Sequence, residues 1–154
     1  MTLKSAGDPD GVLRRSLLNR TTQVAIAAAG YLAEVHRYPE RRLSAKQIAE
    51  SRDLQGPYLG KVMSALSRAG IIEGTRGPGG GFRLARPPKE ITLKEIADLF
   101  ERDDTVYMCP YGKDYCGTGP RCPLHNQIES LNQSMDKFLE KTTLAGFERR
   151  RKTA

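Results

Sequence analysis

Residues 71–85 read IIEGTRGPGGGFRLA, which is two short strand-like runs separated by a glycine-rich segment. Both runs, 71–75 and 82–85, contain β-branched or aromatic residues that favour strands. The intervening residues 76–81 are an arginine, a proline and four glycines. This pattern predicts a β-hairpin with a flexible, basic tip. A nucleotide-binding loop is excluded, because the stretch contains neither G-x-x-x-x-G-K followed by Ser or Thr nor a G-x-G-x-x-G that opens a helix.

Two amphipathic segments upstream of the hairpin predict the first two helices. Apolar residues recur at helical spacing from Thr22 toward His36,. A short second helix follows, because Ser44 and Gln47 match a capping box, and this helix fades by about Asp53.

A third helix is predicted to begin at Gly56-Pro57, since proline is tolerated in the first turn, where its missing N–H costs nothing. Gly70 stands where a left-handed C-terminal cap is expected. The expected buried stripe is Leu59, Val62, Leu66 and Ala69. The expected outer face is Tyr58, Lys61, Ser64 and Arg68.

Two short helices joined by a turn and followed at once by a glycine-rich hairpin form the pattern of a winged helix-turn-helix. In this fold the third helix enters the major groove of DNA, and the wing reaches toward the minor groove or the backbone. Helical periodicity alone would fit any small helical bundle equally well, so the hairpin decides between them. We therefore expect a mainly α fold with a small β-hairpin wing. The candidate DNA contacts are Gln55, Tyr58, Lys61, Arg76, Gly77 and Gly79, each of which could instead be a solvated surface residue.

The distribution of charge also indicates a polyanionic partner. The chain of 154 residues has a formal net charge of +7. Residues 1–89 contain 15 Lys and Arg against 7 Asp and Glu, whereas residues 90–154 contain 10 against 11. The basic excess therefore lies in the N-terminal half, and double-stranded DNA is the leading candidate.

A fourth helix is predicted to begin at a second capping box, Thr92 and Glu95, and to end near Glu101. Farther along, apolar residues alternate in steps of four and three, as in a helix that packs along another helix. These residues are Leu124, Ile128, Leu131, Met135, Phe138, Thr142 and Ala145. A helix that continued to about residue 150 would be about 37 Å long. No intrachain partner of that length is expected, so the pattern predicts a homodimer; the alternative is that the stripe lies across its own winged helix.

Three cysteines and one histidine fall within seventeen residues, as Cys109-x6-Cys116-x5-Cys122-x2-His125. The chain has no other cysteine and one other histidine. Soft thiolates plus an imidazole suit an iron-sulfur cluster or a tetrahedral zinc ion. Cys122 and His125 are three residues apart at the start of a helix, so their side chains can converge on one metal. The residues themselves leave the choice between iron and zinc open.

Composition excludes several other classes of protein. Hydrophobic residues make up 38% and charged residues 28% of the chain, which is ordinary for a globular protein,. No apolar run reaches the length of about 18 residues that spans a bilayer, and the N-terminal stretch has no signal-peptide pattern. We therefore expect a cytoplasmic protein with no membrane partner. The predicted organisation is a flexible tail over 1–18, a winged helix-turn-helix domain over 19–102, a cysteine-rich loop over 103–125 and a dimerisation helix over 126–150.

The wing RGPGGGF at 76–82, followed by Leu84, a capped helix, three cysteines and a long C-terminal helix, closely resembles the iron-sulfur winged-helix regulators of the IscR and NsrR type. The likeness covers residues 18 to about 147. It implies a homodimeric bacterial transcription regulator, a repressor, in which an iron-sulfur cluster controls DNA affinity in response to iron, redox state or nitric oxide. The operator would be pseudo-palindromic, because its two-fold axis must coincide with that of the dimer.

The same resemblance implies that Cys109, Cys116 and Cys122 are thiolate ligands and that His125 is the fourth ligand, as in the [2Fe-2S] cluster of the IscR branch. A [4Fe-4S] cluster is the second possibility, since the NsrR branch completes one with a carboxylate near the start of the first helix. Gln23 occupies that place here, and an amide is a poor iron ligand.

Two positions depart from the family pattern. The first cysteine spacer has six residues instead of five, and Gly60 stands where relatives of the IscR type place a charged base-reading side chain. The operator sequence therefore cannot be carried over from the family.

Three other functions fit the sequence less well. A structural zinc ion, or no metal, at the Cys3His site would keep DNA binding without a redox response. An enzyme with Cys116 or Cys122 as nucleophile and His125 as base lacks a third orienting group, so no enzymatic activity is expected. A winged helix used for protein contacts alone would not need the localised basic surplus.

Overall fold

The computed structural model describes residues 18–101, 111, 114–116 and 119–148. Within them, three helices come before one two-stranded antiparallel hairpin and three come after it, which confirms the predicted fold class. The elements are α1 Arg20–Val35, α2 Ala45–Arg52, α3 Gly56–Arg68, β1 Ile72–Thr75, β2 Gly81–Leu84, a 3-10 turn Pro88–Glu90, α4 Leu93–Phe100, α5 His125–Lys141 and α6 Ala145–Glu148. The predicted N-terminal tail, apart from Leu18, and Cys109 lie outside the described residues.

Helix α1 is the central element of the fold. Its buried face is rich in small side chains, so α3, α4 and α6 can all pack closely against it,. The fully buried alanines of this face are Ala25, Ala28, Ala29 and Ala33. The Asn19 side chain caps the helix by accepting a hydrogen bond from the Thr22 backbone N–H at 2.8 Å,.

Helix α2 begins at the predicted capping box, and both of its bonds are present. The Ser44 hydroxyl accepts from the Gln47 N–H at 3.1 Å, and the Gln47 side chain accepts from the Ser44 N–H at 2.9 Å,. Leu43 and Ile48, on either side of this cap, are both buried. The helix ends at Asp53, whose φ of 51° is left-handed.

Helix α3 buries Leu59, Val62 and Leu66, as predicted. Ala69, which was expected in the same stripe, is exposed, and Met63 is buried in its place. The reason is that Ala69 is already the C-cap, beyond the last helical turn that faces the core. Gly70 has the predicted left-handed conformation, with φ of 73°,.

The hairpin pairs Ile72 with Leu84 and Thr75 with Gly81. At its tip the Gly80 N–H donates to the Gly77 carbonyl at 2.9 Å, with Pro78 second and a left-handed glycine third, as a type II turn requires,. Leu43 also pairs with Phe82, through hydrogen bonds of 3.0 and 2.7 Å. The wing is therefore fixed to the residues that lead into α2.

Helix α4 begins at the predicted capping box of Thr92 and Glu95, with both bonds formed, and ends at Phe100. Ile91 and Ile96 on either side of the cap are fully buried. Beside this helix start the Leu93 N–H donates to the Thr142 carbonyl at 2.8 Å. The beginning of α4 is therefore bound directly to the residues that follow α5.

The predicted C-terminal helix is shorter than expected. Helix α5 ends at Lys141, which gives a length of about 25 Å instead of about 37 Å,. Thr142 is extended, and the next residues pair with the start of α4, where the Leu144 N–H donates to the Ile91 carbonyl at 3.0 Å. Leu144 is fully buried. Backbone pairing with the start of α4 and the burial of Leu144 take the place of further helical turns. Thr142 and Ala145 therefore lie beyond α5.

The apolar residues of α5 divide between two faces. Leu139 is buried in the core and Met135 packs against it. Leu124, Leu131 and Phe138 are instead exposed by 45%, 63% and 51%. The helix thus lies on its own domain with one face and presents a second apolar face outward.

No helix in the described part of the chain is both long and apolar enough to cross a membrane.

The return of the C-terminal segment makes Leu144 a test of the fold. We expect Leu144→Ala to lower the free energy of unfolding by about 2–5 kcal/mol, because it leaves a cavity at a fully buried site,. Leu99→Ala, at a leucine that is 42% exposed, should cost less than about 1 kcal/mol,. Urea denaturation followed by circular dichroism measures both. Equal losses for the two variants would contradict this role for Leu144.

Candidate nucleic-acid interface and metal centre

The outer face of α3 is open to solvent. Lys61, Ser64 and Arg68 are exposed, as predicted. Gln55 is exposed at the N-cap position and its side chain makes no capping hydrogen bond. At Gly60 a Cβ atom would meet nothing within 4 Å, so this part of the face is flat and uncovered. A helix with such a face can approach the floor of the major groove closely.

Tyr58 lies differently from the prediction. It was expected on the outer face, but it is half-buried against the core, and its hydroxyl is hydrogen-bonded to the Thr21 hydroxyl. Its ring is therefore held against α1 at the start of α3. The spacing of α3 alone could not reveal this, because Thr21 is 37 residues away.

At the wing, Arg76, Gly77 and Gly79 are all exposed. Gly77 and Gly79 have φ of 89° and 74°, a conformation that side chains with a Cβ rarely adopt,. Gly80, which the sequence did not single out, is required for a second reason: a Cβ there would overlap the Thr75 carbonyl oxygen. The tip is thus a bare backbone turn that begins with one arginine.

Further basic residues lie beside the wing and were not predicted as contacts. Arg41 and Lys46 are exposed on either side of Leu43, the residue that pairs with the wing. The sequence signal was the Arg41-Arg42 pair immediately before a helix cap. Lys46 lies 3.9 Å from the carboxylate of Glu50, one turn along α2, and Arg83 is ion-paired with Glu73 across the hairpin.

Three of the four predicted metal ligands are described. The Cys116 Sγ lies 3.5 Å from the His125 Nδ1. Cys116 has φ of 58°, and its N–H donates to the Pro120 carbonyl at 2.8 Å. Cys122 is buried one turn before His125, whose N–H donates to the Cys122 carbonyl at 3.1 Å. The fourth residue, Cys109, lies outside the described residues.

The donor set fits a metal. Two ligands of one tetrahedral ion with metal–sulfur and metal–nitrogen bonds of about 2.3 and 2.1 Å lie about 3.6 Å apart. Cys116 and His125 keep nearly this separation, which is also that of a thiol–imidazole hydrogen bond. Among the described residues, no group of three His, Cys, Asp or Glu side chains converges on a single point. Among the described ligands, the structure places Cys116 in contact with His125 and Cys122 one turn before it.

The other ring nitrogen of His125 faces Glu129, with 3.8 Å between Nε2 and Oε2. Glu129 was not predicted as part of the site, although its position one turn along α5 is the sequence signal for such a pair. A carboxylate there favours the tautomer that leaves Nδ1, the atom facing Cys116, as the electron-pair donor. Gln23 occupies the position compared above with a carboxylate ligand. Its side-chain amide donates to the Leu18 carbonyl at 2.8 Å.

Comparison with known proteins gives consistent matches. Residues 18–148 match the family model Rrf2, described as iron-dependent transcriptional regulator. The chain is 32% identical over 131 residues to a protein of Aquifex aeolicus described as an HTH-type transcriptional regulator, covering 83% of this chain and 88% of that protein. It is 33% identical over 132 residues to the HTH-type transcriptional regulator IscR of Cereibacter sphaeroides, covering 83% and 84% of the two chains.

Two solved structures share the fold. The T. potens IscR structure superposes with a TM-score of 0.70 at 23% identity, covering 92% of this chain and 95% of that one. The structure of CymR (YrzC), the global cysteine regulator of B. subtilis, gives a TM-score of 0.69 at 22% identity, covering 87% and 97%.

Proposed function

This chain belongs to the Rrf2 family of transcriptional regulators, and from this we propose that it is a homodimeric repressor whose operator affinity is set by an iron-sulfur cluster on Cys109, Cys116, Cys122 and His125. Membership of the family makes the protein a DNA-binding regulator and not an enzyme. The observation that carries the finer proposal is the pairing of Cys116 with His125 at the separation of two ligands on one metal,.

Iron-sulfur chemistry is favoured over zinc by the iron-dependent description of the family. When bound, such a cluster supplies reversible one-electron chemistry and reactivity toward oxidants, which zinc does not. Three of the proposed ligands lie around the start of α5: His125 is its first residue, Cys122 comes three residues earlier, and Cys116 contacts His125 from the preceding loop. Gain or loss of the cluster would therefore act first on α5 and on the loop that follows α4.

The DNA-binding surface consists of α3 and the wing. Lys61 and Arg68 on α3 supply positive charge for the major groove, and Arg76 supplies it at the tip of the hairpin,. The bare glycine turn lets the wing backbone come close to phosphates. Gln55, Gly77 and Gly79 remain proposed contacts on the same surface, whereas Tyr58 would act mainly by holding α3.

The exposed face of α5 supports a dimer. Leu124, Leu131 and Phe138 follow one another at steps of seven residues, and all three are exposed in the single chain,. A groove runs along the same helix, lined by Asn126, Gln127, Ser130, Leu131 and Ser134. A second copy of α5 would cover this face and place the two DNA-binding surfaces about a two-fold axis, which requires a pseudo-palindromic operator.

The cluster is tested by the visible spectrum of protein purified without oxygen, since iron-sulfur clusters are coloured and zinc is colourless. We expect Cys109→Ala, Cys116→Ala and Cys122→Ala to abolish the colour but leave a folded dimer, because the main apolar cluster of the described residues contains no cysteine. His125→Ala should change the spectrum, and His36→Ala, at the histidine outside the loop, should not. Unchanged spectra in the four ligand variants would overturn the assignment; a colourless protein with one zinc per chain would establish the alternative.

The dimer is tested by placing a charge on the exposed face of α5. Leu131→Asp and Phe138→Asp would bury like charges against each other, at a cost of several kcal/mol for each poorly compensated charge. Light scattering should then report monomers or aggregates, whereas Gln133→Asp, at an exposed polar position of the same helix, should remain dimeric. If both apolar variants stay dimeric with unchanged affinity, the interface lies elsewhere.

DNA binding is tested by titrating specific and scrambled duplexes at several salt concentrations. Arg76→Ala should weaken binding to most sequences and reduce the dependence on salt, because a phosphate or minor-groove contact is lost. Lys61→Ala should cost about 1–3 kcal/mol on the preferred operator and less on a duplex changed at the contacted base. Lys137→Ala on α5 is the matched control and should change neither the affinity for DNA nor its dependence on salt. A wild type that binds both duplexes equally, with and without the cluster, would exclude sequence-specific regulation.

A further inference from the structure

The first turn of α1 is hydrogen-bonded to the residue from which the cysteine-containing loop begins. That residue is Glu101, the C-cap of α4, after which the chain continues toward Cys109. The Glu101 Oε1 accepts from the Asn19 backbone N–H at 2.9 Å and from the Thr22 hydroxyl at 2.6 Å. Asn19 adds a third bond, from its side-chain amide to the Phe100 carbonyl at 2.7 Å. Three bonds thus join residues about 80 positions apart in sequence.

One of the three bonds, from Thr22 to Glu101, is sheltered from water. Thr22 has no exposed surface, and among the residues that the structure describes it is the one buried polar side chain, whereas Asn19 is exposed. A buried hydroxyl that loses its partner costs about 1–3 kcal/mol, so the Thr22–Glu101 bond resists breaking on its own. The loop end of α4 and the first turn of α1 should therefore move as one unit.

The same turn of α1 is bonded to the start of α3. Thr21, the neighbour of Thr22, shares a hydrogen bond with the hydroxyl of Tyr58. Tyr58 is the third residue of α3 and lies one turn from Lys61 on the proposed DNA-binding face. Because Thr21 and Thr22 are adjacent in one helical turn, a displacement of one displaces the other.

We propose that Glu101, Thr22 and Tyr58 are positioning residues for DNA binding, forming with Thr21 a tie that links the cysteine-containing loop to the first turn of α3. This inference rests on the proposed function, because the cluster is what would displace Glu101. A displacement of Glu101 would displace the first turn of α1 with it, and through Thr21 and Tyr58 the start of α3. None of the three residues needs to touch DNA or metal.

The test compares variants that break the tie with variants that keep it. Glu101→Ala removes the acceptor, Thr22→Val removes the buried hydroxyl at nearly constant volume, and Tyr58→Phe removes only the phenolic oxygen. Glu101→Gln and Thr22→Ser retain an oxygen at the same place and are the rescue variants. Asp98→Ala, at an exposed carboxylate of α4, is the control.

The first readout is the ratio of operator affinities of the full-length protein with and without its cluster. Coupling between two sites changes affinity by about 5–150-fold, and we expect wild type, Asp98→Ala and the rescue variants to fall in this range. In the three tie-breaking variants the ratio should fall below about threefold, with the visible spectrum unchanged. A ratio equal to that of wild type, even if both affinities are weaker, would overturn the proposal and leave the bonds a purely structural role.

The second readout needs neither cluster nor DNA. The Leu59 N–H donates to the Gln55 carbonyl at 2.9 Å in the first turn of α3, so its hydrogen exchange reports on that turn,. In cluster-free protein, exchange at Leu59 should be at least about tenfold faster in Glu101→Ala than in Glu101→Gln. If the wild type binds DNA equally with and without the cluster, the proposed function fails, and the exchange rate at Leu59 still tests the tie. Equal exchange rates in Glu101→Ala and Glu101→Gln would overturn the tie.

Discussion

Close packing against the alanine face of α1 is the constraint on which the rest of the molecule depends. Because Ala25, Ala28, Ala29 and Ala33 have short side chains, α3 and α4 can contact α1 on different sides, and α6 can do so as well. Phe147 from α6 lies against Gly30, where even a Cβ would come within 3.1 Å of its ring. Larger residues on this face would push α3, α4 and α6 away from α1, since interiors at this density yield little.

Features that depend on neighbouring residues could be predicted from the sequence. The capping boxes at Ser44 and Thr92 and the left-handed Gly70 are each decided within a few positions, and all three are present. The hairpin could be predicted for the same reason, because its turn is determined by the glycines and the proline within it.

Features that depend on distant partners could not be predicted. The helical pattern of apolar residues continues past Lys141, yet α5 ends there. The reason is that Thr142 and Leu144 form backbone hydrogen bonds with Leu93 and Ile91, about 50 positions earlier. Tyr58 turns inward because of Thr21. At the site, spacing indicated that the side chains of Cys122 and His125 can converge on one metal, but it gave no sign of the contact between Cys116 and His125. The left-handed backbone at Cys116, which takes part in that contact, has no signal in the local sequence.

Internal ion pairs neutralise part of the basic surplus. Arg52 is paired with Glu34, Arg83 with Glu73 and Arg86 with Glu95, so these arginines are partly neutralised where they lie. Such exposed or half-exposed pairs contribute only about 0–1 kcal/mol each to stability. Their larger effect is on the electrostatic field. Within the described part of the chain no ion pair is found for Lys61 and Arg68 on α3 or for Arg76 at the wing, so positive charge remains there and can attract a polyanion from a distance,.

The break at Thr142 has a mechanical consequence for α5. The far end of this helix is clamped, since Leu139 is buried and Thr142 and Leu144 are bonded to the start of α4. The near end begins at His125, three residues after the buried Cys122, and its neighbour Leu124 is exposed. The helix therefore connects the anchored segment at Thr142 and Leu144 with the contact between Cys116 and His125. Over a rigid arm of about 25 Å, a tilt of about 5° at the anchored end corresponds to a movement of about 2 Å at the end with His125. A small change in the angle of α5 therefore becomes a displacement of about one metal–ligand bond length beside that contact.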